Sequence, residues 1–288
     1  MILTKKIINF KFSEIFTTKK IINSRILNLL GLQIFRYLLA KIVFFFLKKP
    51  PIEDTLNDYN EKGILLIENL LSQNEFLKTK EEFLKIVEKE KKLRDVYAGT
   101  STENTSINYK LYEFEDNEKN KENYPHLYKL LLNKKINNLF KNAEKRESIS
   151  LFMRLERVIT NDRLRNDMNA HWHVDTFHNT HKGWLYLTDI DSNKGPFNYI
   201  KGSSKFSIQR LYWEYNNSIK TLFNKNFLSF FVNRNLFNEY EKKKIEIICG
   251  ENNFLLANTH GYHRRGDAQI NQTRDTISFF TRENPYKL

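Results

Sequence analysis

From Leu151 to the C-terminus the chain is broken up too often to hold long helices. Short β-prone runs at 151–159, 184–190, 197–200, 245–248, 254–256 and 276–281 are separated by clusters of Asp, Asn, Gly and Ser. Many short strands without alternating helices predict an antiparallel barrel or sandwich and argue against βαβ units. The preceding half reads differently. Gly63 to Glu68 predicts a short strand, and Ser72-Gln-Asn-Glu75 is a capping box that opens a helix running to about Lys92. Phe76, Phe83, Leu84 and Val87 are the inward positions of that helix. Residues 98–123 read as polar and irregular, and His126 to about Ala143 as helical. Helices first and strands later make the fold class α+β. With 23 Phe and 14 Tyr among 288 residues, the chain can fill a large core and is far too aromatic for disorder. No internal repeat is visible.

A single cysteine, Cys249, excludes an internal disulfide and any thiolate cluster, and fits a reducing, cytoplasmic compartment. The net charge of +13 is unevenly placed. Residues 1–50 hold ten Lys or Arg against one acid, Glu14, whereas the rest holds 37 basic and 33 acidic side chains. The basicity belongs to an N-terminal arm. The body has neither a zinc finger nor a basic recognition helix, so no nucleic-acid partner is expected.

Residues 26–47 (ILNLLGLQIFRYLLAKIVFFFL) are the most apolar stretch. At 100° per residue Arg25, Asn28, Gln33 and Arg36 share one face, with Leu and Phe on the other. This basic amphipathic helix has three readings: peripheral contact of residues 20–49 with the cytoplasmic face of an anionic membrane, packing of its apolar face on the body, or a spanning anchor. A charge at the centre of a spanning helix is costly, and Arg36 and Lys41 lie inside the stretch. A cleaved signal peptide is disfavoured because the apolar run starts late. Lys48-Lys49-Pro50-Pro51 ends the helix. The expected division is an arm at 1–50 and a domain at 51–288, with a helical lead-in at 60–145 and a β-rich core at 150–282.

Six of the seven histidines lie in the β-rich half, in two clusters: His171-Trp-His173-Val-Asp175-Thr-Phe-His178 with His181 beyond, and His260-Gly-Tyr-His263. Residues two apart on a strand point the same way, so His173 and Asp175 can offer an imidazole nitrogen and a carboxylate oxygen to one ion. A third ligand from a distant strand would complete two histidines and one carboxylate, which leaves open positions on a non-haem iron. His171-x-His173-x-Asp175 also reads as a zinc-ligand run of hydrolases. His260 competes with His263 as the distant ligand. His178 and His181 read as loop residues, and Asp189 and Asp191 as hairpin-turn residues. Trp172, Trp184 and Tyr199 could line a pocket or fill the core.

Four motifs in order carry a family resemblance. They are His173-Val-Asp175, the run Leu187-Thr-Asp189, Gly195-Pro196 followed by Gly202-Ser203, and His263-Arg-Arg-Gly266 with Arg274 eleven residues after His263. Over roughly residues 60–282 the sequence resembles the phytanoyl-CoA dioxygenase family of Fe(II)/2-oxoglutarate-dependent oxygenases. The family usually has Pro-Gly-Ser-His where this chain has Lys201-Gly-Ser-Ser-Lys. The resemblance implies a double-stranded β-helix (jelly-roll) core. It also implies that His173, Asp175 and His263 bind iron, and that Arg274 grips the distal carboxylate of 2-oxoglutarate. Thr276, on the same strand face, could touch that carboxylate as well.

With Asp175 present, the resemblance further implies the hydroxylating rather than the halogenating type, with O2 and a small-molecule or lipid-linked substrate as partners and succinate and CO2 as co-products. A zinc-dependent hydrolase using His171, His173 and Asp175, and a non-catalytic jelly-roll binding protein, are the competing expectations. Oligomeric state is not readable from the sequence.

Overall fold

The computed structural model describes residues 12–48, 50, 56–89, 94–95, 107–160, 168–220, 230–231 and 240–287. Its helices are α1 (Arg25–Leu29), α2 (Leu32–Phe46), α3 (Asn57–Lys62), α4 (Gln73–Lys89), α5 (Glu118–Asn123), α6 (Pro125–Leu131), α7 (Lys134–Glu144) and α8 (Ile208–Lys220). Its strands are β1 (Ile64–Ile67), β2 (Arg94–Asp95), β3 (Ile107–Phe114), β4 (Leu151–Thr160), β5 (His173–Val174) and β6 (His181–Tyr186). They continue with β7 (Phe197–Ile200), β8 (Phe230–Phe231), β9 (Lys244–Ile247), β10 (Phe254–Asn258), β11 (His263–Arg265) and β12 (Thr273–Thr281).

Two antiparallel sheets form, ordered β1-β10-β6-β12-β4-β3-β2 and β8-β5-β11-β7-β9. The strand period of two sorts the apolar residues of the larger sheet into two layers. Leu185, Phe254, Leu256, Ile277, Phe279, Met153 and Leu155 face the helices and pack with Phe76, Phe83, Ile86, Leu127, Leu130 and Phe140. The alternate residues Ile64, Tyr186, Leu255 and Ala257 face the smaller sheet and meet Phe197, Tyr199 and Ile247. The result is a double-stranded β-helix with its lead-in helices covering one outer face. The capping box forms at α4: the Ser72 hydroxyl accepts from the Glu75 amide (3.4 Å) and donates to the Glu75 carboxylate (3.0 Å).

Three stretches differ from the sequence expectation. The stretch read as irregular contains β3 and α5, with β3 paired along β4 from Ile107↔Thr160 to Phe114↔Met153. Polar neighbours hide this strand in the sequence, but Phe114 and Tyr112 pack into the helical core. The helix read across 126–143 is two helices, because the Asn133 side chain accepts from the Ile136 amide and starts α7 afresh. α8 interrupts the β-rich half. Its first turn is capped by Ser207, whose hydroxyl accepts from the Arg210 amide, and Arg210 pairs with Glu214 four residues on.

The N-terminal helices pack on this domain, with the opposite orientation to a usual surface helix. Asn28, Gln33 and Arg36 are fully buried, and Gln33 donates to the Glu214 carboxylate on α8 (3.2 Å). Packing on the body, one of the three expectations, is what the structure shows, and the inward face is mixed: Leu32, Tyr37 and Ala40 are buried beside Gln33 and Arg36, with Tyr37 against the rings of Phe206 and His260. Arg36 donates to the carbonyls of Ile15, Thr17 and Lys19 at 2.6–2.9 Å. Gly31, at φ 92°, separates α1 from α2. No helix among the described residues is long and apolar enough to cross a membrane.

Candidate metal centre

β5 and β11 are neighbours in the smaller sheet, and their register places His263 directly opposite His173. Asp175 follows β5 by one residue, and its amide donates to the Thr259 carbonyl (3.0 Å), which ties it to the turn before β11. One donor atom from each of His173, Asp175 and His263 lies within 4.8 Å of the others. The imidazole Nε2 atoms stand 3.9 Å (His173) and 3.7 Å (His263) from Asp175 Oδ1. These gaps are too wide for hydrogen bonds and narrow enough for one shared ion.

The backbone sets the tautomers. His173 Nδ1 lies 2.7 Å from the His171 carbonyl oxygen, and His263 Nδ1 lies 2.9 Å from the Gly261 carbonyl oxygen. A carbonyl can only accept, so each Nδ1 carries the proton and each Nε2 turns its lone pair toward Asp175. Burial, reinforced by the neighbouring His263 ring, pushes the His173 imidazole down to about 3, so it is neutral and ready to bind a cation. Burial tends to raise the Asp175 carboxyl, but Lys182 and the two imidazoles outweigh it and hold the group well below the usual carboxylate range. Lys182 Nζ reaches Asp175 Oδ2 at 2.8 Å, leaving Oδ1 as the oxygen aimed between the histidines. Two imidazoles and one ionised carboxylate are the donor set that suits non-haem iron.

Gly261 allows the turn to approach closely, since a Cβ there would collide with the Tyr199 hydroxyl. Phe197 stacks on the His263 ring with centroids 5.5 Å apart. Arg274 stands on the inner face of β12 and its Nη1 donates to the Gly195 carbonyl, two residues before Phe197. Thr276, buried on the same face, is opposite Tyr186.

His171, the third member of the zinc-run reading, is exposed and lies outside the cluster. His260 also lies outside it: it is buried, and Arg210 Nη1 donates to its carbonyl (3.0 Å). Neither His178 nor His181 belongs to the cluster: His178 lies in the loop between β5 and β6 and is buried there, whereas His181 is the first residue of β6, buried with its Nδ1 3.0 Å from Glu144 Oε1. Asp191 Oδ1 accepts from the Asn193 amide, an Asx turn, and Asp189 Oδ1 accepts from the Glu251 amide. Trp184 packs on Phe197, and the Tyr199 hydroxyl donates to the Asn258 carbonyl.

Lys182, Arg210 and Arg265 were not singled out from the sequence. Arg265 is buried two residues beyond His263 on the same strand face, with its methylenes against Gly195. Only the Arg210–Glu214 spacing of four carried a sequence signal.

The buried histidines predict acid lability of the metal-free protein. Burial lowers His178 to about 4, and burial together with the Arg210 cation holds His260 well below the ordinary histidine value. Below pH 6.5 the unfolded chain binds protons at these rings and the folded chain does not, so stability falls as pH falls. His178 alone should cost about 2 kcal/mol between pH 7 and pH 5, and His260 acts in the same direction. Urea unfolding at the two values checks this, and an unchanged midpoint would refute it.

No curated protein sequence matches the chain. Among solved structures it is similar to EctD from S. alaskensis with bound Fe, at 12% identity over 82% of this chain and 80% of that one, with a TM-score of 0.54. It is similar to the non-heme alpha ketoglutarate dependent carbocyclase SnoK from nogalamycin biosynthesis, at 13% identity over 80% and 84% with a TM-score of 0.50. AviO1 from Streptomyces viridochromogenes Tue57 matches at 10% identity over 78% and 91%, also with a TM-score of 0.50. Such identities speak for the shared fold. The family model of phytanoyl-CoA dioxygenase (PhyH) matches residues 59–225, more than half of the chain, including His173 and Asp175. The chain therefore belongs to the phytanoyl-CoA dioxygenase (PhyH) family of iron- and 2-oxoglutarate-dependent oxygenases.

Proposed function

We propose that the protein is a dioxygenase of the hydroxylating type, acting on a small-molecule or lipid-linked substrate with release of succinate and CO2. The observation that carries this is the cluster of His173, Asp175 and His263 in an oxygenase fold, with the carboxylate present. In this reading the two Nε2 atoms and Asp175 Oδ1 hold Fe(II). Bound iron, with 2-oxoglutarate and O2, supplies the oxidative chemistry.

The chain's own residues do the rest. The His171 and Gly261 carbonyls hold the ligand tautomers. Lys182 keeps Asp175 Oδ2 occupied, so the carboxylate can bind through one oxygen. Asp175 fills the coordination position that a halide would need. Arg274 presents a planar fork for the distal carboxylate of 2-oxoglutarate, with Thr276 beside it. Phe197 and Tyr186, part of the apolar cluster packed between the sheets beside the ligands, would keep water from the reacting centre. A reducing cytoplasm keeps iron ferrous and suits the lone Cys249.

The test is anaerobic. Fe(II) is added to metal-free protein, followed by 2-oxoglutarate, and the visible charge-transfer band of the chelate is sought. Admission of O2 should then convert 2-oxoglutarate to succinate. Absence of the band, with tightly retained zinc instead, would overturn the reading.

A further inference from the structure

We propose that the solvent face of α1 and α2 is a docking surface that lies flat on an anionic lipid bilayer. The helix is anchored by its polar side. Arg36, fully buried, spends its donors on the carbonyls of Ile15, Thr17 and Lys19 and on the Gln33 side chain, and its guanidinium stacks on Phe177 at 4.2 Å. The Asn28 side chain donates to the Ile22 carbonyl, and Lys41 Nζ donates to Asn179 Oδ1 and the Ser204 carbonyl. Turning the helix over would strand these groups, including a buried cation, so the opposite face stays outward.

That outward face is apolar. Phe35, Leu38, Leu39, Ile42, Phe45 and Phe46 recur at i, i+3, i+4, i+7, i+10 and i+11, a continuous helical stripe. Phe45 is 76% and Phe46 67% exposed, and on α1 Leu30 is 78% exposed beside Ile26 and Leu29. Of the sixteen large hydrophobic residues exposed among the described residues, eight lie between Phe16 and Phe46. A concentration of that kind marks an interaction surface rather than scattered surface apolars.

Charge selects the occupant. Residues 1–50 carry ten Lys or Arg and one acid. Exposed Lys19 and Lys48 lie before and after the two helices. An apolar stripe within a strongly basic segment suits acidic headgroups over acyl chains. Pairing two copies through the same stripe would bring two segments of net charge +9 together, which opposes a self-association. Docking also sets the metal centre near the bilayer. Phe177, under Arg36, is two residues beyond Asp175, and Ile21 packs with Val174.

The test is co-sedimentation of the full chain with vesicles of phosphatidylcholine alone and of phosphatidylcholine mixed with phosphatidylserine. Both phenylalanines are exposed, so F45S/F46S should keep the native thermal midpoint. Native protein should pellet with the mixed vesicles, less so at high salt. The double variant should bind more weakly by about ten-fold or more. Three results would overturn the proposal: no binding of the native chain to mixed vesicles, unchanged binding of the double variant, or a native dimer that the variant converts to monomer, which would make a second copy the occupant. None of these readouts depends on iron or turnover, so failure here leaves the oxygenase reading untouched, and the reverse also holds.

Discussion

Replacing His263 by alanine should abolish the Fe(II)–2-oxoglutarate absorption band and all succinate formation. His263 is directly opposite His173 across the β5–β11 pairing, and its Nε2 faces Asp175 Oδ1 at 3.7 Å. Without it two donors remain, two residues apart on one segment, and no third ligand completes the site. Loss of a group that merely orients a ligand typically costs 10–100-fold in metal affinity, so loss of the ligand itself should exceed about 100-fold. Anaerobic titration with Fe(II) in the presence of 2-oxoglutarate measures this directly. His263→Gln, which preserves more of the buried volume, separates lost ligation from lost packing. His171→Ala should leave the titration unchanged, because His171 is exposed and contributes its carbonyl, not its ring, to the site. Retained affinity in the His263 variants, or loss in the His171 variant, would reject the assignment and revive the zinc-run reading.

Arg274→Ala should raise KM for 2-oxoglutarate by about 100-fold while leaving Fe(II) affinity without co-substrate unchanged. The guanidinium is held at the inner face by its bond to the Gly195 carbonyl, so its position is set before any carboxylate arrives. Removing one partner of a buried, hydrogen-bonded charge pair costs about 2–5 kcal/mol, which corresponds to roughly 30-fold or more. Arg274→Lys restores the charge without the bidentate geometry and should recover only part of the loss. Arg265 is the informative control, since its methylenes also pack against Gly195. If Arg265→Ala moves KM and Arg274→Ala does not, the carboxylate clamp belongs to Arg265. Steady-state kinetics at saturating O2 distinguish these outcomes.

The reading that survived best from sequence is the one with the shortest range. His173 and Asp175 are two apart on an extended segment, and the strand period alone puts them on one side. Capping at Ser72 and the inward register of Phe76, Phe83 and Val87 are equally local, and the structure shows both. β3 and α8 were missed for the opposite reason. β3 is defined by its pairing with β4, about 45 residues away, and α8 by buried contacts of Arg210 and Glu214 with distant segments.

By itself the sequence determined that the chain is α+β, that its β-rich half carries a His-x-Asp pair with a second histidine cluster downstream, and that residues 26–47 have one polar and one apolar face. Those properties follow from period, composition and order along the chain. Only the tertiary structure sets His263, and not His260, across from His173, because that placement depends on the β5–β11 register. Only it showed which face of the N-terminal helix meets the protein. Amphipathicity separates two faces without saying which one is buried. Here the Glu214 carboxylate on α8, which accepts from Gln33, and the Phe177 ring under Arg36 hold the polar residues inward.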